Sequence, residues 1–388
     1  MLMWQSYETA QPSSSRLVGG RVWVSAEVRE EIREILLMLD RSAARFREIL
    51  IDAPAPVLDR LGALPERVAG ARVRLMPYHH STKVGVAAKL RGLAQFILRI
   101  ARRRPDVLFS GFSMMRHRLA AGIFRVPHVA YLRGVVFDPQ LASGISDRIR
   151  VSALSRLVPG KAATSYHADF VLTVGDVNRD FLIARGIPAE HIALTGPVWL
   201  HDSAPPLPSD TDAGRIYFLT TAWQAHGLLT EHEAQLRITR RLAEHWRHDA
   251  RFVMRVHPRD RYDYESDDAY RGVALDRRTP EEFLRGLRPA DLIIAPLSTL
   301  AFEAAYLGGS VVFYSDDVAT KAYNHVYERL GIDARSVEQI LADDLRPQRP
   351  PVDDIFSPID FHALDRVLGS LAVHTETSRP EAAHRVGQ

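Results

Sequence analysis

The sequence predicts an α/β protein made of two doubly wound, Rossmann-like domains. Three observations predict it. The chain has 388 residues, more than a single hydrophobic core usually organises, so two domains are expected. Short β-rich runs alternate with stretches of helical period in both halves, which implies parallel sheets covered by helices on both faces. Residues 201–214 include Pro205, Pro206 and Pro208 with small and acidic neighbours. Such a stretch supplies no regular element, so it is read as the linker.

In order along the chain, residues 1–20 contain Ser13, Ser14 and Ser15 but no basic start followed by an apolar stretch, so they read as a flexible arm rather than a secretory signal. Residues 21–25 read as the first strand, followed by a helix carrying Val28, Ile32, Ile35, Leu36 and Leu39 at helical spacing. Residues 48–52, 73–76, 107–110 and 128–132 are further strands. Residues 83–104 carry Val86, Leu90, Leu93, Ile97 and Ile100 on one stripe and Arg91, Arg99, Arg102 and Arg103 on the other side, a cationic amphipathic helix. A strand at 170–174, a helix at 177–185, a Gly186-Ile187-Pro188 stop and a strand at 192–195 close the first domain, 21–200. The second domain, 215–373, repeats the alternation. Strands are expected at 215–219, 252–256, 292–295 and 311–314, helices at 231–248, 280–287 and 299–307, and a last helix at 361–371; residues 374–388 are read as a flexible tail.

Composition narrows the function classes. With 46% hydrophobic and 25% charged residues, the chain is that of a globular protein. It has no cysteine, which removes disulfides, thiolate metal sites and a thiol nucleophile, and suits a cytoplasmic location. The apolar runs are far shorter than the ~20 residues of a membrane-spanning helix. The net charge is only +3, yet residues 71–125 hold twelve Lys or Arg and a lone acid, Asp106. Two readings stay open: a core-packed helix with a solvated Arg face, or a peripheral surface for anionic lipid headgroups or an acidic polymer. No recognition motif or interleaved aromatic run makes nucleic acid the partner.

In an open parallel sheet the ligand sits beyond the carboxyl ends of the strands. Three loops of the second half supply suitable groups there: Thr220, Thr221 and Gln224 after the first strand, His257, Pro258 and Arg259 after the second, and Ser298 and Thr299 after the third. Ser298 and Thr299 open a helix whose N-terminal N–H groups attract an anion, so a phosphate fits there. Ser298 serving only as helix cap is the plain alternative.

Together the run 255–259, Arg-Val-His-Pro-Arg, and the run 290–309, with its Pro-Leu-Ser-Thr centre, resemble the donor half of GT-B glycosyltransferases, in which two Rossmann domains face a cleft. They are similar in particular to the bacterial branch with His-Pro and Ser-Thr motifs: polysialyltransferases, lipooligosaccharide sialyltransferases, capsule-linker Kdo-transferases and teichoic-acid polymerases. The runs 168–175 and 185–198 resemble the end of the acceptor half. The resemblance implies a nucleotide-sugar donor, with CMP or CDP favoured and UDP, GDP or dTDP open, and a cell-envelope or capsular glycan, or lipid-linked, acceptor. It implies that His257 contacts the nucleotide or its phosphate, that Ser298 and Thr299 grip the phosphate, and that Glu303 holds a ribose hydroxyl. Arg259 is a further phosphate partner or pairs with Asp260 or Asp263, and Thr221 and Gln224 border the cleft.

Transfer also needs an acceptor hydroxyl deprotonated. The acidic motif of the sialyltransferase branch is missing here, and at the turn where the polymerases carry Trp-His-Gly this chain has Leu132-Arg133-Gly134. Asp138 is the expected general base, with His79, His80 and Glu27 as alternatives. No paired-His spacing or carboxylate cluster marks a metal site, so no metal is expected. A CDP-polyol phosphate transferase, a 2-epimerase and an inactive nucleotide- or partner-binding scaffold are the rival functions; the 2-epimerase is disfavoured because no acidic cluster is evident in the sequence.

Overall fold

The computed structural model describes residues 19–26, 28–59, 61–62, 64–78, 86–111, 115–134, 144–145, 168–201, 214–342, 344–347 and 350–377. Asp138, Glu27, His79 and His80, most of the arm and the tail, and the linker between 202 and 213 lie outside the described residues.

The first sheet has eight strands: β1 (Gly20–Ser25), β2 (Phe46–Pro54), β3 (Arg67–Val68), β4 (Ala71–Tyr78), β5 (Val107–Ser110), β6 (His128–Leu132), β7 (Phe170–Thr173) and β8 (Ile192–Leu194). Their order is β3-β4-β2-β1-β5-β6-β7-β8, and every pairing is parallel except β3 with β4. The central strands are buried on both sides, which is why β5, β6 and β7 read as continuous apolar runs. On one face lies α1 (Arg29–Arg41), whose Ile32, Ile35, Leu36 and Leu39 pack with Val22, Val24, Ile49 and Ile51. A short α2 (Ala55–Asp59) follows β2. The other face is covered by α3 (Val86–Arg102) and α4 (Met115–Phe124), through Phe96, Ile100 and Ala120 on Trp23, Leu50 and Leu108. The alternation of Val22, Trp23 and Val24 between the two cores is the period of two of a strand.

After α5 (Asp176–Ala184), the second sheet contains β9 (Ile216–Leu219), β10 (Phe252–Arg255), β11 (Ala274–Asp276), β12 (Leu292–Ala295) and β13 (Ser310–Phe313), all parallel in the order β11-β10-β9-β12-β13. Its helices are α6 (Trp223–His226), α7 (Leu229–His245), α8 (Pro280–Arg285), α9 (Thr299–Tyr306), α10 (Asn324–Leu330), α11 (Val337–Leu341) and α12 (Val352–Ile355). Thr279 and Glu282 form a capping box with Pro280 in the first turn, so α8 starts where its sequence dictates.

Two expectations change. The last helix, α13 (His362–Thr377), was assigned to the second domain, but its Leu364, Val367, Leu368 and Leu371 join the core of the first. The chain returns across the ends of β7 and β8, where Ser357 donates its N–H to the Val174 carbonyl at 2.9 Å and Asp360 donates to Thr195 at 2.9 Å. This crossing needs glycine: a Cβ on Gly175 would lie 2.0 Å from the Ile355 carbonyl oxygen, and Gly196 (φ +64°) would meet that of Ser357 at 2.5 Å. The second change concerns Arg99. Expected on the solvated side of its helix, it ion-pairs at 2.7 Å with Asp52, which is 1% exposed.

Candidate functional site

The three loops singled out in the second domain leave adjacent strands at one edge. β9 lies between β10 and β12, with Leu219 level with Arg255 and Phe218 level with Ile294. The strand order reverses between β9 and β12, the switch point at which open α/β sheets bind ligands. His257 and Ser298 therefore stand two strand spacings apart, about 10 Å, a span suited to different parts of one ligand.

His257 is partly buried and tightly held. Its backbone N–H donates to Thr220 Oγ1 at 2.9 Å, and the Arg259 N–H donates to its Nδ1 at 3.1 Å. A ring that accepts at Nδ1 carries its proton on Nε2 when neutral. Burial, then Arg259, His226 and Arg255, push its pKa down to about 3. Burial and then Arg259 also lower His226, but His226 is exposed, so the neutral form is held more firmly at His257. The ring is thus a neutral donor beside guanidinium charge.

Arg259 is exposed and pairs with neither Asp260 nor Asp263: Asp260 accepts from Tyr262 N and Tyr264 Oη, and Asp263 from Ser266. Gln224 is exposed on α6. Thr221 is 9% exposed, and its backbone is gripped from both sides by Gln235 of α7, which accepts from its N–H at 2.7 Å and donates to its carbonyl at 3.0 Å. This grip orders the loop.

Ser298 is the N-cap residue of α9, yet its side chain makes no capping hydrogen bond. The cap alone therefore does not account for its hydroxyl. Thr299 faces the other domain, since a Cβ on Gly134 would lie 3.3 Å from Thr299 Oγ1. The Gly134 carbonyl accepts from Asn178 Nδ2 at 2.9 Å, which fixes that turn.

One turn further along α9, Glu303 is 1% exposed and accepts from Arg133 at 3.2 Å across the domain boundary. It does not face solvent. Arg133 also pairs at 2.6 Å with Glu34 of α1, Tyr131 Oη donates to the other Glu34 oxygen at 2.8 Å, and Trp199 stacks 4.4 Å from the Arg133 guanidinium carbon. Burial pushes the Glu34 pKa up to about 7 against the pull of Arg133, and raises that of Glu303. Burial opposes the charge on Arg133, but Glu34 and Glu303 hold it on. Two carboxylates from different domains are thus brought to one buried guanidinium.

His226, Gln235 and Glu34 lie at the candidate site although the sequence did not mark them, while Thr220 and Arg133 were marked only by their places at strand ends. His226 follows Gln224 on α6, and Gln235 is a polar residue among the apolar positions of α7. Glu34 had no signal, because it lies opposite the apolar stripe of α1 and is buried only by what packs on that second side. Among the described residues, no group of three His, Asp or Glu could hold a metal ion, and no helix is long and apolar enough to cross a membrane.

The sequence matches no protein-family model and no curated protein. Solved structures do align with more than nine-tenths of the chain. A UDP-N-acetylglucosamine 2-epimerase from Neisseria meningitidis bound to UDP-GlcNAc aligns at TM-score 0.53 and 13% identity, covering 92% of this chain and 99% of that one. The Rickettsia bellii enzyme of the same name gives 0.54 and 12%, over 93% and 97%. A Listeria monocytogenes protein assigned that activity gives 0.55 and 15%, over 93% and 98%. At these identities the likeness establishes the fold, the two-domain GT-B arrangement.

Proposed function

We propose that this chain is a nucleotide-sugar enzyme that transfers the sugar to a cell-envelope or capsular glycan, free or lipid-linked. One observation carries the reading: the hydroxyls of Ser298 and Thr299 at the start of α9, and the His257–Arg259 loop, follow β12 and β10, the two strands that flank β9 at the switch point of the second sheet. The nucleotide-sugar part of this reading, not the transfer, is supported by the proteins that share the fold, which are named UDP-N-acetylglucosamine 2-epimerases, one of them bound to UDP-GlcNAc.

As the nucleotide leaves, charge grows on its phosphate. The N-terminal amides of α9 and the two hydroxyls are the groups proposed to neutralise it, with no metal, while the His257 Nε2–H and Arg259, about 10 Å away, are proposed to hold another part of the nucleotide. Asp138 remains the proposed base. Glu303, proposed to hold a ribose hydroxyl, already accepts from Arg133 through one carboxylate oxygen.

A specific observation favours a second reading, a nucleotide-sugar 2-epimerase. Glu34 and Glu303 gather around Arg133 beside Gly134 and Thr299, and moving a proton at a sugar carbon needs such acids and bases.

The first test is thermal stability with CMP, CDP, UDP, GDP and dTDP. A nucleotide at 100 times its Kd stabilises by ~2.7 kcal/mol, and S298A/T299A should weaken the responding one by at least ~1.4 kcal/mol, tenfold. No response to any of the five refutes both readings. The corresponding nucleotide-sugar in D2O then separates them: deuterium at C2 without acceptor marks the epimerase, and nucleotide release that requires a glycan marks transfer. Turnover of CDP-glycerol or CDP-ribitol instead would mark polyol phosphate transfer.

A further inference from the structure

The outer face of α3 and α4 takes no part in the site above. Both helices cover the same face of the first sheet through Phe96, Ile100 and Ala120, so their opposite sides form one outward surface. On α3 the exposed residues Arg91, Gln95, Leu98 and Arg102 follow one another at intervals of three or four, a single stripe. On α4, Arg118, Leu119, Gly122 and Ile123 are exposed. Leu98 is 54% exposed, Leu119 39% and Ile123 60%. What marks this face is that three open aliphatic side chains share it with Arg91, Arg102 and Arg118.

The charge around them is one-sided. Residues 71–125 hold twelve Lys or Arg against Asp106, and Asp106, at the amino end of β5, accepts from the Arg21 N–H at 2.6 Å. Aliphatic side chains framed by guanidinium groups match a negatively charged bilayer: the former enter the acyl boundary while the latter stay among the headgroup phosphates.

We propose that this two-helix face docks on an anionic lipid bilayer, with Leu98, Leu119 and Ile123 inserted and Arg91, Arg102 and Arg118 at the headgroups. The proposal deepens the transferase reading and rests on it only for the lipid-linked acceptor. The same helices reach the carboxyl ends of β1 and β2, where Arg99 binds Asp52 and His117 Nε2 lies 2.9 Å from Ser25 Oγ. The docked face therefore borders the edge at which the first sheet opens to a ligand.

The test is co-sedimentation of the full chain with phosphatidylcholine vesicles and with vesicles containing about 30 mol % phosphatidylglycerol. The parent should pellet with the anionic vesicles only, and less at about 0.5 M salt. L119S/I123S and R91E/R118E should each weaken this at least tenfold while keeping the parent melting temperature; R237E/R241E on α7 should not. Absence of parent binding to anionic vesicles overturns the proposal, as does parental binding by both face variants. A dimer in size exclusion that L119S/I123S dissociates also overturns it, since a second copy then covers the face. The nucleotide response is measured in parallel. Vesicle binding without it leaves the surface standing and removes the transferase; nucleotide response without vesicle binding removes the surface alone.

Discussion

Arg133→Met is the most direct probe of the interdomain cluster. It removes the guanidinium that Glu34 and Glu303 share at 2.6 and 3.2 Å, leaving carboxylates whose side chains are 4% and 1% exposed. Breaking a buried pair from one side costs about 3–5 kcal/mol. Both acids can escape part of that cost by taking a proton. Glu34 is already pushed up to about 7 and Glu303 is raised, and loss of Arg133 raises both further. The folded variant then binds more protons than the unfolded chain above the ordinary carboxylate pKa, so its stability falls as pH rises. The expected deficit is about 3–5 kcal/mol at pH 8, smaller by at least ~1.4 kcal/mol at pH 6. Urea unfolding followed by tryptophan fluorescence measures it, and Trp199, stacked on the guanidinium, reports the local change. Adding Glu34→Gln should restore part of the loss at pH 8 by removing one uncompensated charge. A deficit below ~1 kcal/mol, or one that does not vary with pH, would refute a buried, charge-sharing cluster.

His257→Gln should flatten the acid limb of the stability curve. The unfolded imidazole takes a proton near pH 6.5 and the folded one only near 3, so the parent loses stability as pH falls through that window. Between pH 7 and 4.5 it should lose about 1–2 kcal/mol more than the variant, a figure discounted for the ring's solvent-open side; equal losses in melting curves would remove the shift. Gln235→Leu leaves the Thr221 N–H and carbonyl without their buried partner, a cost of about 2–4 kcal/mol. Because the same grip orders the Thr220–His226 loop, nucleotide affinity by calorimetry should fall about tenfold; unchanged affinity would show that the loop holds its shape without Gln235.

Much of this architecture is written in local pattern. The runs at β5, β6 and β12 fall on the residues that periodicity and apolar content marked, because a strand buried on both faces must be apolar throughout. Thr221, His257, Arg259, Ser298 and Thr299 follow β9, β10 and β12 as the sequence placed them, because the end of an apolar strand fixes which residues come next. Gln224 was legible from the same loop, although it lies within α6.

Contacts between distant segments were not. Leu364, Val367 and Leu368 look like any amphipathic stripe, and nothing in their spacing says that the stripe packs on the first domain rather than the second. Glu34 and Glu303 lie on different helices and domains, and each looks solvated until Arg133 brings them together. The exposed Leu98, Leu119 and Ile123 count as apolar in any pattern, and only packing shows which apolar residues a helix leaves outside. The sequence by itself determined the two-domain α/β plan and which residues follow the strands of the second sheet, because periodicity and strand ends are properties of neighbouring residues. Tertiary structure decided the acidic cluster, the return of α13 and the open face of α3 and α4, because burial and charge pairing depend on which surfaces meet.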